Sequence, residues 1–151
     1  MRIVIADQDR SFLESFREFL GARGHEVAVA TEGLTCLHRL RDFRPDVIAL
    51  NNNLLWGGSD GVLSVMTEDP KLRNIPVLVM TENPSQPPWR IQPEMVSTVH
   101  GPFRHDDLIQ RLGFLSLLGA VAKQHCLARV TRPPRPRFNF GENAAVRSPS
   151  C

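Results

Sequence analysis

The residues best suited to chemistry fall in short groups, each at the end of an apolar run: Asp7-Gln8-Asp9, Asn51-Asn52-Asn53, Thr81, and His100-Gly101-Pro102. Asp7 and Asp9 carry carboxylates, the oxygen ligands that a hard cation such as magnesium takes. Thr81 offers a hydroxyl. Asn51 offers a neutral amide, which donates and accepts hydrogen bonds but is no nucleophile. Gly101 offers no side chain at all. Plainer roles stand beside these. Asp9 precedes a helical pattern and suits an N-cap, Asp7 ends an apolar run, and Thr81 suits a turn. Asp60 stands before Gly61, which is a turn signal, and a lone histidine such as His100 is more often structural than catalytic. There is no Gly-rich phosphate loop and no catalytic Ser/His/Asp spacing. Cys36, Cys126 and Cys151 lack the short spacings of a zinc site, and an odd, sparse set argues against a disulfide framework.

The elements that must position these groups alternate along the chain. Ile3-Val4-Ile5-Ala6 is a continuous apolar run, as in a strand buried on both faces. Phe12, Phe16, Phe19 and Leu20 then recur on one helical face. Ser11 and Glu14 have capping-box spacing, and Gly24 stands where a helix would stop. Glu26 to Ala30 reads as a second strand. Thr31 is placed to cap a second helix carrying Leu34, Leu37 and Leu40. Asp46 to Leu50 is a third strand, and Val62, Val65 and Met66 mark a short helix. Ile75 to Met80 is a fourth strand and Val96 to Val99 a fifth. A last helix begins near His105 and turns Leu108, Leu112, Leu115 and Leu118 inward. Alternation of this kind predicts an α/β fold, a doubly wound parallel sheet with helices on both faces. Its functional crevice lies beyond the carboxyl ends of the strands, where the groups named above fall. Pro84, Pro87, Pro88 and Pro93 lie between strands four and five. Each costs ~3 kcal/mol inside a helix, so the helix there is expected to be short or disrupted.

Ordered along residues 1–115, these features resemble a response-regulator receiver (CheY-like) domain. The resemblance is carried by Arg2-Ile3-Val4-Ile5-Ala6-Asp7, Ala22-Arg23-Gly24-His25-Glu26-Val27, Arg44-Pro45-Asp46-Val47, Asn74-Ile75-Pro76-Val77 running into Thr81, and Pro102-Phe103. It implies a flavodoxin-like sheet of five strands in the order 2-1-3-4-5. It also implies a phosphorylation site built from two acids after strand one, an aspartate ending strand three, a hydroxyl after strand four and a lysine before a proline after strand five. Asp7 matches the first acid, Thr81 the hydroxyl and Pro102 the proline. The second acid falls on Gln8, the acceptor on Asn51 and the lysine on Gly101, and the aromatic residue of strand five falls on Thr98. Charge is lost at the acceptor, metal and phosphate positions together. The expectation is therefore a degenerate pseudo-receiver whose vestigial phospho-acceptor site is Asp7, Gln8, Asn51, Thr81 and Gly101. It is expected to have no enzymatic activity and no cofactor, with Asp7 and Asp9 as weak candidates for a residual magnesium ion.

The totals fit one domain with a core. The chain has 151 residues, 42% hydrophobic and 23% charged, and a formal charge of +2 that is too small to argue for nucleic acid. The apolar run after Arg2 is shorter than the roughly 7–15 residues of a signal peptide core. Leu112 to Ala122 falls short of the ~17–25 residues that span a bilayer. A cytoplasmic protein without membrane contact is expected, and free thiols suit a reducing compartment. Residues 1–123 are expected to form the receiver-like domain, and 124–151 a basic Pro/Arg-rich, disordered tail. A protein partner is expected, a signalling kinase or an output protein. Phe114, Leu117 and Val121 form a second apolar stripe on the last helix, a candidate surface for that partner or for a homodimer. Alternatives are phosphorylation at a non-standard aspartate, Asp7, Asp9 or Asp60, and nucleic-acid binding through Arg132, Arg135 and Arg137 beside Phe138 and Phe140. Pro133-Pro134-Arg135-Pro136 in the same tail could instead dock as a polyproline segment.

Overall fold

Five apolar runs form strands: β1 (Arg2–Ala6), β2 (Glu26–Ala30), β3 (Val47–Asn51), β4 (Val77–Thr81) and β5 (Val96–His100). A computed structural model describes residues 1–83, 85 and 95–130, with side chains as far as 125. All the strands pair in parallel, in the order β2-β1-β3-β4-β5. The helices are α1 (Arg10–Gly21), α2 (Gly33–Phe43), α3 (Gly58–Glu68) and α4 (His105–Val130). This is the doubly wound sheet that the alternation predicts, in the strand order implied by the receiver resemblance.

The sheet separates two cores, and the period of two along each strand assigns residues to them. Ile3, Ile5, Val47, Ala49, Leu78 and Met80 pack with Phe16 and Leu20 of α1 and with Leu108, Leu112 and Leu115 of α4. Val4, Ala6, Ile48, Leu50, Val77 and Val79 pack with Cys36 and Leu40 of α2 and with Val62, Leu63 and Met66 of α3. Burial on both faces explains why β1, β3 and β4 read as unbroken apolar runs. Fully burying each Val, Leu, Ile, Phe or Met among them stabilises the fold by roughly 1.5–3 kcal/mol. These strands therefore hold rigidly whatever projects from their ends.

Several local expectations are corrected. Asp9, not a Ser11–Glu14 box, caps α1, its carboxylate accepting from the backbone N–H of Ser11 and Phe12 at 2.9 and 3.2 Å. Thr31 caps nothing, since α2 starts at Gly33 behind Glu32 with no side-chain cap. Of the leucines expected to face inward on the last helix, Leu118 is 40% exposed where Leu108, Leu112 and Leu115 are buried; on α2 Leu34 is exposed and Cys36 is buried. The helix α4 continues past Gln124, where a disordered tail was expected to begin, to Val130. Residues 131–151, the remainder of that tail, and the segment in which a disrupted helix was expected, 84 and 86–94, lie outside the described residues.

Candidate functional site

In the register of the sheet Ala6 stands beside Leu50, Asn51 beside Met80 and Thr81 beside His100. The residues at the ends of β1, β3, β4 and β5 therefore gather at one edge, where β1 sits between β2 and β3 and the strand order switches direction. Asp7 is held there by its own N–H, which donates to the Ala30 carbonyl at 3.0 Å. It is 5% exposed. Both of its carboxylate oxygens are taken by nitrogen donors. The Asp9 backbone N–H donates to one at 2.8 Å, and the Asn51 amide Nδ2 donates to the other at 2.8 Å. The Asn51 amide oxygen accepts from the Asn53 N–H at 2.8 Å. With a donor partner on one side and an acceptor partner on the other, the orientation of this amide is fixed by its hydrogen bonds.

The remaining candidates divide. Thr81 is buried and close by in register, but its hydroxyl is engaged in its own turn. It donates to the Asn83 carbonyl at 3.2 Å and accepts from the Asn83 N–H at 3.1 Å. Gly101 is tied to the end of β4 through its N–H, which donates to the Thr81 carbonyl at 3.0 Å, and it precedes Pro102 through a cis peptide bond. A Cβ at Gly101 would meet Phe103 and Glu82 side-chain atoms at 3.4 and 3.5 Å, ordinary contact distances, so crowding does not forbid a side chain there. Gln8 is exposed, and Asp9 is occupied in capping α1. Asp60 lies in the first turn of α3, exposed, at a position where a carboxylate complements the helix dipole.

The residues present do not fit a magnesium ion. That cation takes about six oxygens in near-octahedral array, usually with one or two carboxylates. Here Asp7 meets an N–H₂ donor from Asn51 where a further oxygen would be required, and the Asp9 carboxylate is turned to α1. Among the described residues no three His, Cys, Asp or Glu side chains come together to hold a metal.

The rim of this crevice also carries a feature that the sequence did not announce. Leu34, Leu55 and Trp56 are exposed, Trp56 by 79%. Backbone contacts bring them together. The Gly33 N–H donates to the Leu55 carbonyl at 3.0 Å, Glu32 bridges to Leu55, and a Cβ at Gly33 would collide with the Trp56 carbonyl oxygen. Trp56, Gly57 and Gly58 follow one another with φ of 57, 94 and 61°, a left-handed run that turns the indole outward. The available signal was Gly57-Gly58 after an aromatic residue, but large apolar residues are by default assigned to the core.

No protein-family model matches the chain. It is 29% identical over 79 residues to the polar-differentiation response regulator DivK of Brucella anthropi, covering 52% of this chain and 64% of that protein. It is 31% identical over 85 residues to the response regulator MprA of Mycobacterium avium, covering 56% of this chain and 36% of that protein. The chain thus spans less than two thirds of the length of either relative. Among solved structures, a sensor protein from Polaromonas sp. JS666 superposes with a TM-score of 0.70 at 18% identity, over 78% of this chain and 97% of that one. A CheY-like response regulator receiver domain from Methanospirillum hungatei does so with a TM-score of 0.67 at 20% identity, over 79% and 96%. The receiver domain of a sensor histidine kinase of Pseudomonas aeruginosa, solved with magnesium coordinated in its active-site cleft, gives 0.63 at 16%, over 76% and 96%. Fold and strand order agree with these neighbours: the chain has the fold of CheY-like receiver domains, and over about half its length it is similar in sequence to response regulators.

Among the described residues no helix is long and apolar enough to cross a membrane.

Proposed function

We propose that this chain is a pseudo-receiver: a receiver-type domain of two-component signalling that acts in the cytoplasm as a phosphorylation-independent protein-interaction module and not as an enzyme. One observation carries this function, the hydrogen bond from the Asn51 amide to the Asp7 carboxylate. Acyl-phosphate formation needs an ionised carboxylate as nucleophile. An amide nitrogen that already donates to a carboxylate has neither the charge nor a free lone pair for it. Gly101 supplies no cation to meet a transferred phosphoryl group, an interaction on which such transfer depends. The other aspartates are poor substitutes, Asp9 being spent on a helix cap and Asp60 standing exposed on α3.

The partner is a protein, a signalling kinase or an output protein, met at the apolar rim of Leu34, Leu55 and Trp56 or at the outer stripe of α4. That stripe, Phe114, Leu117 and Val121, is exposed along its length and supports a homodimer as well. Arg132, Arg135 and Arg137, the residues of the nucleic-acid alternative, lie outside the described residues. The deciding experiment is incubation of the full chain with acetyl phosphate and magnesium, followed by intact mass. The expected outcome is an unchanged mass. A gain of one phosphoryl group, mapped to any aspartate, overturns phosphorylation independence.

A further inference from the structure

We propose that the end of the sheet opposite the crevice holds a second site, which binds a small organic anion with an apolar body. A cavity of about 640 Å³ opens there, within the ~300–1,000 Å³ of small-molecule sites. Its floor is apolar: Leu40 at the end of α2, and Leu72 and Ile75 in the loop before β4, all buried members of the α2–α3 core. Its walls are basic: Arg41 and Arg44 from α2 and its cap, Lys71 from the loop, and Lys123 from α4.

The cations exceed what the protein needs for itself. Asp69, the one carboxylate on the cavity wall among the described residues, pairs with Arg41 at 3.5 Å. The C-termini of α2 and α3 both end at the cavity, since their caps Arg44 and Asp69 line it. Each helix end is equivalent to roughly −0.5 charge. Four cations against Asp69 and two helix ends still leave about +2. No carboxylate among the described residues forms an ion pair with Arg44, Lys71 or Lys123. A positive wall over an apolar floor selects a ligand with both characters. A bare hydrated anion gains nothing from Leu40 and Leu72, and a neutral apolar molecule gains nothing from the lysines.

Two backbone features hold the basic groups in place. Gly119 lies against Pro76, and a Cβ there would stand 2.8 Å from the proline Cγ. The absence of a side chain lets α4 seat directly on the loop, and Lys123, one helical turn further on, is carried to the cavity. Arg44 sits in the left-handed region at φ 49°, its N–H donating to the Leu40 carbonyl at 3.2 Å. Glycine is the ordinary residue at such a cap. A long cation standing at a position that disfavours it is the kind of backbone outlier that points to use.

The test is fluorescence titration of the full chain with anilinonaphthalene sulfonate, a sulfonate on an apolar ring system. The unaltered chain is expected to give a saturable signal. R44E and K123E, both at exposed positions and so compatible with folding, are each expected to weaken it about tenfold, the loss of one charge-assisted contact. Phe114→Ser with Leu117→Ser, which removes apolar surface elsewhere on α4, should leave it unchanged. Naphthoate should displace the dye, and sulfate at equal ionic strength should not. The site is refuted by an unaltered chain without saturable binding, by full affinity in R44E and K123E, by a loss confined to the Phe114/Leu117 variant, or by sulfate displacing as well as naphthoate.

Discussion

At the scale of single residues, the crevice turns on one amide. Asn51 gives Asp7 a neutral donor where a receiver that accepts phosphate would set a second carboxylate. Replacing it by Asn51→Asp sets two carboxylates a hydrogen bond's length apart, and like charges so placed disfavour one another's ionisation. The variant is expected to lose about 1–3 kcal/mol, the cost of a buried acceptor deprived of its partner, and to regain part of it in magnesium. The unaltered chain should melt at the same temperature with and without magnesium. Thermal melts of both proteins decide the matter, and a magnesium-stabilised unaltered chain would sink the account of the site. The positions of Asp7, Asn51 and Thr81 were legible in the sequence, because apolar runs mark strand ends. The hydrogen bond between Asn51 and Asp7 was not, because it joins residues 44 positions apart through the register of β1 and β3. Cys36 is fully buried, and burial pushes its pKa up from 9.0 to about 12. The folded state therefore keeps the proton that the unfolded chain gives up above pH 9. This contribution to stability is complete below about pH 9 and is lost as pH climbs toward 12, by about 1.4 kcal/mol per pH unit. Urea denaturation of the unaltered chain and of Cys36→Ala from pH 8 to 11 should show a shallower decline in the variant; parallel slopes would contradict it.

At the scale of elements, what the sequence hid was settled by neighbours more than by local preference. Ser11 and Asp9 are both good N-cap residues, and the choice falls to Asp9 because the chain leaves β1 through a turn anchored on the Asp7 carboxylate, bonded to the Asp9 N–H. The end of α4 was misplaced because composition shifts near Gln124. The helix has no proline to interrupt it anywhere along its course to Val130. The loop before α3 shows the same tension. Trp56 is bulky and held at φ 57°, where only glycine, asparagine and aspartate are commonly found. It is also exposed, so little packing offsets the strain. Trp56→Asn is expected to stabilise the fold by about 1 kcal/mol, the order of the left-handed penalty that asparagine eases, read as a higher urea midpoint at unchanged slope. A lower midpoint would mean that the indole packs more than its exposure shows. A strained, exposed indole at the crevice rim fits the proposed role in contact with a partner.

At the scale of the whole molecule, the last helix and the sheet are mismatched in length. A helix of 26 residues runs ~39 Å, whereas strands of five residues span only ~17 Å. The sheet can cover α4 over about half its course, which is why Leu115 is the last large apolar side chain to be buried among the described residues, with Gly119 alone beyond it packed on Pro76, and why Leu118 and Val121 stay exposed. On the outer side Phe114 and Leu117 are 64% and 69% exposed. Together these four make a continuous apolar stripe on a rigid element. A closed pair of copies would bury the stripe symmetrically, since a two-fold contact uses the same patch from both partners. Four side chains are far fewer than the ~20–30 residues a side of a standard stable interface, so the association they support is weak and depends on concentration. Sedimentation velocity over a range of concentrations should show the unaltered chain moving from monomer toward dimer. Phe114→Ser with Leu117→Ser should stay monomeric throughout while melting no lower than the unaltered monomer, because exposed side chains contribute little to its core. An identical concentration dependence in both proteins would remove α4 as the contact. The apolar rim around Trp56 would then be left as the surface through which this receiver-type fold meets its partner.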